Sequence, residues 1–227
     1  NLHVGTNCGI MDQFASVHGR KSQFMVLDCD TLHVRYADAV TPGCSWLLVN
    51  SMVSHELGNQ YNQIRIDLES AEKKIGKGQL IGLVPDDVEV AVSCLSQVEY
   101  QRARYAVGEM VRTPQFVADM EAGNVVEAGR LLQETHQGLS RDLGVSTPEL
   151  DALIDSAGTV DGWHGGRMMG GGFGGCTLNL VADSNIESFR ETVSADFCHR
   201  FGLLPDIYDV TIDRGAFCAS VSSCYRL

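Results

Sequence analysis

Two segments of this sequence hold residue types that chemistry needs. The first is CGIMDQFAS, Cys8 to Ser16, which places Asp12 on the predicted first turn of a helix. Ile10, Phe14 and Val17 recur at helical spacing, and Asp12 falls opposite that apolar stripe, toward water or a cleft. The helix dipole favours an acidic residue there by about 0.3–1 kcal/mol, which by itself accounts for the residue. The same dipole would favour the charged form of a catalytic carboxylate. Spacing alone favours the first account.

The second segment is GGRMMGGGFGGC, Gly165 to Cys176. Between Met169 and Cys176 every residue is glycine except Phe173. Such a run costs backbone entropy and is hard to justify as filler. Glycines permit positive φ and close backbone approach, so exposed N–H groups can line an anion pocket. The segment reads as a loop over 165–175 that runs into the strand CTLNLVAD. It is no Walker A loop, because no Gly-Lys-Ser/Thr follows, and no Rossmann fingerprint, because it precedes a strand. A packing turn is the plainer reading, but glycine this dense favours a ligand border whose ligand it does not specify. A third segment, NSMVSHELGNQYNQIR (50–65), carries Tyr61 on an apolar helix face. Periodicity makes it a core aromatic, although a buried tyrosine ring can still offer its hydroxyl to a ligand.

The rest of the composition bounds the answer. Lys plus Arg number 17 and Asp plus Glu 29, a formal charge of −12. An acidic surface argues against nucleic acid or an anionic membrane as the main partner. No apolar run reaches the roughly 18–20 residues of a membrane span. Eight cysteines show no CxxC pair, and seven histidines form no HxxxH or HExxH pair. Free thiols in a cytoplasmic protein, with no metal site, are the reading.

Several elements must position these residues. Strands are predicted at 23–29 and 31–40 around a tight turn, at 45–51, at 176–183, near 207–213 and near 216–222. An amphipathic helix runs from Gly58 with Tyr61, Ile64, Leu68, Ala71 and Ile75 on one face, ending at Gly76 and Gly78. Further helices are expected over 96–121, kinked or restarted at Pro114, and from an Asn124 N-cap through Gly144 with Leu131, Leu132, Thr135 and Leu139 inward. Two more are expected from Ser146 or Thr147 with Pro148 in the first turn, and over about 184–201. This is an α+β pattern, with elements of each kind segregated.

Taken in order, CGIMDQFAS, LDC (27–29), VNSMVSHEL…QYNQIR, RARYAVGE (102–109), ETHQGLSRD (134–142), STPELD (146–151) and GRMMGGGFGGC (166–176) resemble the galactokinases of the GHMP small-molecule kinase family. The matching segments cover nearly the whole chain in family order. The resemblance implies a GHMP-kinase C-terminal domain over 45–227, an antiparallel sheet packed on helices. It makes 1–44 a remnant of the N-terminal domain, carrying a catalytic Asp12. It implies ATP-dependent phosphorylation of galactose to galactose 1-phosphate, with Mg2+ and ATP required. Gly9, Asp12 and Tyr61 match sugar-contacting positions, and Gly170, Gly171, Gly172 and Gly174 match the motif beside the phosphate site. Met169 stands where the family usually has Thr, Tyr105 replaces a frequent His, and Leu143-Gly144 replaces a usual Phe-Glu.

The family's Gly-Ser-rich phosphate loop and acidic magnesium ligand are expected upstream of Asn1. The chain alone would then lack metal ligands, bind ATP weakly and be inactive. An unpaired N-terminal hairpin would invite self-association. Kinases of N-acetylgalactosamine or arabinose, a non-catalytic galactose sensor and an interaction module are the alternatives.

Overall fold

A computed structural model describes residues 9–54 and 58–216, which fall into two units. The larger covers Val40–Val210; the smaller joins residues 9–39 to 211–216. Each is taken by itself.

In the smaller unit, α1 (Met11–His18) precedes a hairpin of β1 (Gln23–Leu27) and β2 (Val34–Asp38). Gln23 faces Asp38 and Leu27 faces Val34 in antiparallel register. The turn forms because Asp28 Oδ1 accepts the N–H groups of Asp30 (2.9 Å) and Thr31 (3.0 Å). The same two bonds, led by Thr31, hold the Asp28 carboxyl below its ordinary range. Residues 211–216 lace the unit together: Ser22 N–H donates to Ile212 O and Gly215 N–H to Gly19 O. The apolar stripe of α1 departs from expectation. No residue of α1 is buried, and Ile10 and Val17 are 41% and 61% exposed. A hairpin and six further residues offer too little apolar surface to cover it.

The larger unit is built on one antiparallel sheet in the order β4 (Trp163–Met168), β5 (Cys176–Ala182), β3 (Cys44–Asn50), β6 (Asp206–Val210). The helices are α2 (Gly58–Ile75), α3 (Pro85–Val90), α4 (Gln97–Glu121), α5 (Val125–Gly138), α6 (Pro148–Ala157) and α7 (Ile186–Phe201). Leu47, Val49 and Val181 of the sheet bury against Leu153 and Ala157 of α6 and Phe189, Val193 and Phe197 of α7. On α2 the expected face is inward, with Ile64 and Ala71 buried, and α2 packs on α4 through Ala71, Ala103 and Val107.

The start and stop signals act as the sequence suggests. Ser96 and Glu99 form a capping box on α4, and Thr147 caps α6 ahead of Pro148. Gly76, Gly144 and Gly202 end helical segments in the left-handed region. Three details differ. α4 runs on through Pro114 without a restart. Asn124 sits at the N-cap of α5 but turns its amide to Asp119 instead. Past Gly138 the helix widens into a π turn, Leu139–Leu143, closed by Val145 N–H on Leu139 O (3.0 Å). The strand expected near 216–222 lies almost wholly outside the described residues.

The glycine segment is corrected at its start: Gly165–Met168 belong to β4, not to a loop. A Cβ on Gly165 would fall far inside contact distance of Gly129 O, and one on Gly129 would meet His164 O. Helix α5 thus lies on β4 backbone to backbone, and these glycines serve close approach rather than a turn. Among the described residues no helix is long and apolar enough to cross a membrane.

Candidate active site

The glycines that do form a loop, Gly170–Gly175, connect β4 to β5. Gly170, Gly172, Gly174 and Gly175 all have positive φ, and so does Phe173 at +60°. A left-handed phenylalanine costs on the order of 1–2 kcal/mol. Its ring offsets that cost by packing on Ile64, Leu139, Val145, Leu150 and Met168.

Three anchors fix this loop. At its entrance the buried Met168 N–H donates to His136 Nδ1 (3.2 Å), while Arg167 Nε donates to Met168 O (2.9 Å). In its middle Phe173 N–H donates to Val145 O (2.7 Å), and a Cβ on Gly172 would collide with that same carbonyl. At its exit Gly175 O accepts from Ser51 N–H (2.9 Å) and Ser51 Oγ (2.7 Å), and Gly175 N–H reaches Val53 O. Among the described residues the N–H groups of Gly170, Gly171, Gly172 and Gly174 meet no acceptor. Gly172 and Gly174 are buried. A buried backbone donor needs an acceptor, and a phosphate oxygen is one that fits these.

The entrance anchor is itself held. His136 is 5% exposed. Because its Nδ1 accepts, its proton sits on Nε2, which faces Asp151 Oδ1 at 3.2 Å. Asp151 also accepts from Ser146 Oγ (2.6 Å) and Ser140 Oγ (2.9 Å). Burial pushes the Asp151 carboxyl up, but the bonds from His136, Ser146 and Ser140 outweigh it and hold it below the ordinary range. Beside this network, Gly138 lets the Tyr105 ring lie on α5, and burial, with Glu109 nearby, pushes the Tyr105 hydroxyl far above its usual range.

The predicted site residues divide between the units. Gly170, Gly171, Gly172 and Gly174 come together in the loop. Gly9 and Asp12 belong to the smaller unit: Gly9 is exposed with open space around it, and Asp12 is exposed on the first turn of α1. Tyr61 lies on the first turn of α2, and its side chain is outside what is described. Sequence reasoning missed the anchors Ser51, His136, Val145 and Asp151, although ETHQGLSRD and STPELD contain two of them. Among the described residues no three His, Cys, Asp or Glu gather as metal ligands.

An antiparallel sheet backed by helices, with a clamped glycine hairpin at one sheet margin, matches a known kinase domain. Residues 116–197 fit the family model described as GHMP kinases C terminal. These residues form a GHMP kinase C-terminal domain, and the chain is similar to GHMP kinases along nearly its whole length. Within that family, the similarity is to galactokinases. The chain is 36% identical over 221 residues to the galactokinase of Clostridium beijerinckii, covering 95% of this chain and 57% of that protein. It is 39% identical over 182 residues to the galactokinase of Homo sapiens, covering 80% and 46%. The galactokinase of Lactococcus lactis, solved in complex with galactose, matches with a TM-score of 0.90 at 30% identity, covering 95% and 57%. A mevalonate kinase of L. major shares the fold, with a TM-score of 0.54 at 15% identity. The chain spans about half the length of the curated relatives it matches.

Proposed function

We propose that this protein is a galactokinase of the cytoplasm, transferring the γ-phosphoryl group of ATP to the anomeric hydroxyl of galactose with Mg2+. We also assign 1–44 to a remnant of the family's N-terminal domain and 45–227 to its C-terminal domain, with residues 211–216 of the latter grouped with the smaller unit. The observation that carries the activity is the glycine loop. It holds backbone donors that meet no acceptor among the described residues, in a chain whose relatives over 95% of its length are galactokinases. When bound, Mg-ATP supplies the transferring phosphoryl group.

Phosphoryl transfer has a loose transition state, so the protein contributes position and charge complementarity. The N–H groups of Gly170, Gly171, Gly172 and Gly174 would receive phosphate oxygens. Gly9 and Tyr61 would contact the sugar. Asp12 would orient the reacting hydroxyl and accept its proton. A carboxylate is a weak base toward a sugar hydroxyl, so the proton moves once the P–O bond is forming.

Steady-state kinetics of Asp12→Asn in a full-length protein that carries the family's phosphate loop, with galactose as the varied substrate, test this. The amide keeps the size and one acceptor but cannot take the proton. The expected kcat loss is about 10²- to 10⁴-fold, with the KM for galactose moving less than about tenfold. A near-normal kcat would leave Asp12 as a helix-start residue only. Preferential turnover of N-acetylgalactosamine or arabinose would move the substrate.

A further inference from the structure

We propose that His136 and Asp151 are positioning residues for the nucleotide phosphates, acting through the backbone of the glycine loop. The inference rests on the kinase reading above and assigns that site two further residues.

The geometry is a chain of single-atom contacts. Asp151, on α6, holds His136 of α5 through Nε2 and holds Ser146 through its hydroxyl. His136 in turn takes the Met168 N–H at the loop entrance. Ser146 follows Val145, whose carbonyl takes the Phe173 N–H in the middle of the loop. One carboxylate therefore ties together two of the three anchors that set where the loop's N–H groups point. Neither His136 nor Asp151 belongs to the loop. The loop's own conformation is left-handed at five of its six residues counted from Gly170 to Gly175, and such a backbone keeps its shape only when its surroundings over-determine it. Backbone donors also cannot re-aim by changing rotamer, so a displaced anchor shifts them as a set.

The dyad is not sealed away. His136 and Asp151 line a cleft of about 390 Å³ with Gln133, Gln137, Arg141 and Trp163. Asp151 presents about two fifths of its side chain to solvent. A role limited to filling core would not need a charged group at that margin, nor a ring whose two nitrogens are both committed.

The two nitrogens allow a discriminating test. In His136→Asn the amide oxygen overlays Nδ1 and keeps the bond to Met168 N–H, but the contact with Asp151 is lost. In His136→Gln the amide nitrogen overlays Nε2 and keeps Asp151, but the Met168 contact is lost. We expect His136→Gln to raise the KM for ATP about 5- to 10-fold, the equivalent of one hydrogen bond of about 1 kcal/mol. The KM for galactose should move less than twofold. His136→Asn should recover part of the loss in KM for ATP, the remainder reporting the lost contact with Asp151. Equal losses in both variants, or losses shared equally by both substrates, would overturn the proposal in favour of packing alone.

Hydrogen exchange provides a readout that needs no turnover. In the unliganded protein, the Phe173 amide, bonded to Val145 O, should exchange faster in His136→Gln and in Ser146→Ala than in the parent, with α7 unchanged as the internal reference. Ser146→Ala removes only a hydroxyl, so it serves if the ring variants do not fold. Unchanged exchange in the loop would overturn the positioning role. A full-length parent, with the family's phosphate loop present, that shows loop ordering by this route but no transfer to galactose would instead overturn the galactokinase reading and leave the positioning role standing.

Discussion

Glu99 stands in the first turn of α4 in the larger unit, and Asp12 in the first turn of α1 in the smaller. The Glu99 carboxylate is 6% exposed and accepts from Lys74 Nζ (2.7 Å), Ser70 Oγ (2.6 Å) and Ser96 N–H (2.7 Å). The Asp12 carboxylate is exposed and, among the described residues, meets no donor. The two share a helical position that the dipole favours for a negative charge. One has all its acceptor capacity committed to structure, and the other has none committed among the described residues. A carboxylate with free acceptor sites is what a substrate hydroxyl requires. Two single glycines differ in the same way: a Cβ on Gly165 of the larger unit would run into the Gly129 carbonyl, whereas Gly9 of the smaller unit has open space around it.

Glycine substitution breaks that contrast hardest. In Gly165→Ala the new methyl would meet the backbone of Gly129, which cannot step aside as a side chain can. Helix α5 would have to lift from β4, at a cost of about 3 kcal/mol. Gly9→Ala should shift stability by less than about 0.5 kcal/mol. Urea unfolding of both variants checks the pair. A tolerated Gly165→Ala would mean that α5 and β4 are not in backbone contact.

How far the sequence could be read follows the same divide between local and tertiary causes. The face of α2, the caps of α4 and α6 and the strand SWLLVNS were legible, because each is written in local periodicity or in a single capping residue. β4 was not. WHGGRM has neither β-branched residues nor alternation, and its glycines signal a turn until α5 is placed on them. Phe173 could be seen as the break in a glycine run, but not as the ring that joins the loop to a core cluster. His136 and Met168 lie 32 residues apart and His136 and Asp151 lie 15 apart, so no spacing rule brings them together. The inward stripe on α1 was a sound periodicity reading that failed because the described part of its unit has no core to receive it. The position of Asp12 was legible. Its role rested on resemblance.

A smaller effect at Glu99 is read by pH. Hydrogen bonds from Lys74, Ser70 and Ser96 push the Glu99 carboxyl down to about 2 from an ordinary 4.5. A carboxyl lowered in the folded state contributes stability that is complete above its unfolded value and is lost as pH falls toward its folded value. The chain should therefore lose stability between about pH 4.5 and 2. Glu99→Gln should flatten that part of the profile and cost about 1–2 kcal/mol at pH 7. Lys74 is 44% exposed, which keeps the figure below that of a fully buried pair. Chemical denaturation at several pH values checks it, and a slope unchanged in Glu99→Gln would assign the acid sensitivity to other carboxylates such as Asp151.

The smallest expected effect on stability falls at Asp12, and its smallness is what gives it meaning. An exposed first-turn carboxylate with no described donor contributes through the dipole alone, about 0.3–1 kcal/mol, and added salt screens that. Asp12→Asn should lower the midpoint of thermal unfolding by no more than a few degrees, and by less in high salt. If Asp12 were only a helix-start residue, this shift would be the whole consequence of the substitution. If it orients a sugar hydroxyl, activity falls by orders of magnitude while the protein unfolds almost as before. Glu99→Gln is the opposite control: it should cost stability and leave kcat within about twofold, since its carboxylate is bound to α2 and to the start of its own helix. A kcat loss in Asp12→Asn no greater than that in Glu99→Gln would mean that free acceptor capacity does not mark the reacting carboxylate, and the contrast between the two residues would be one of burial only.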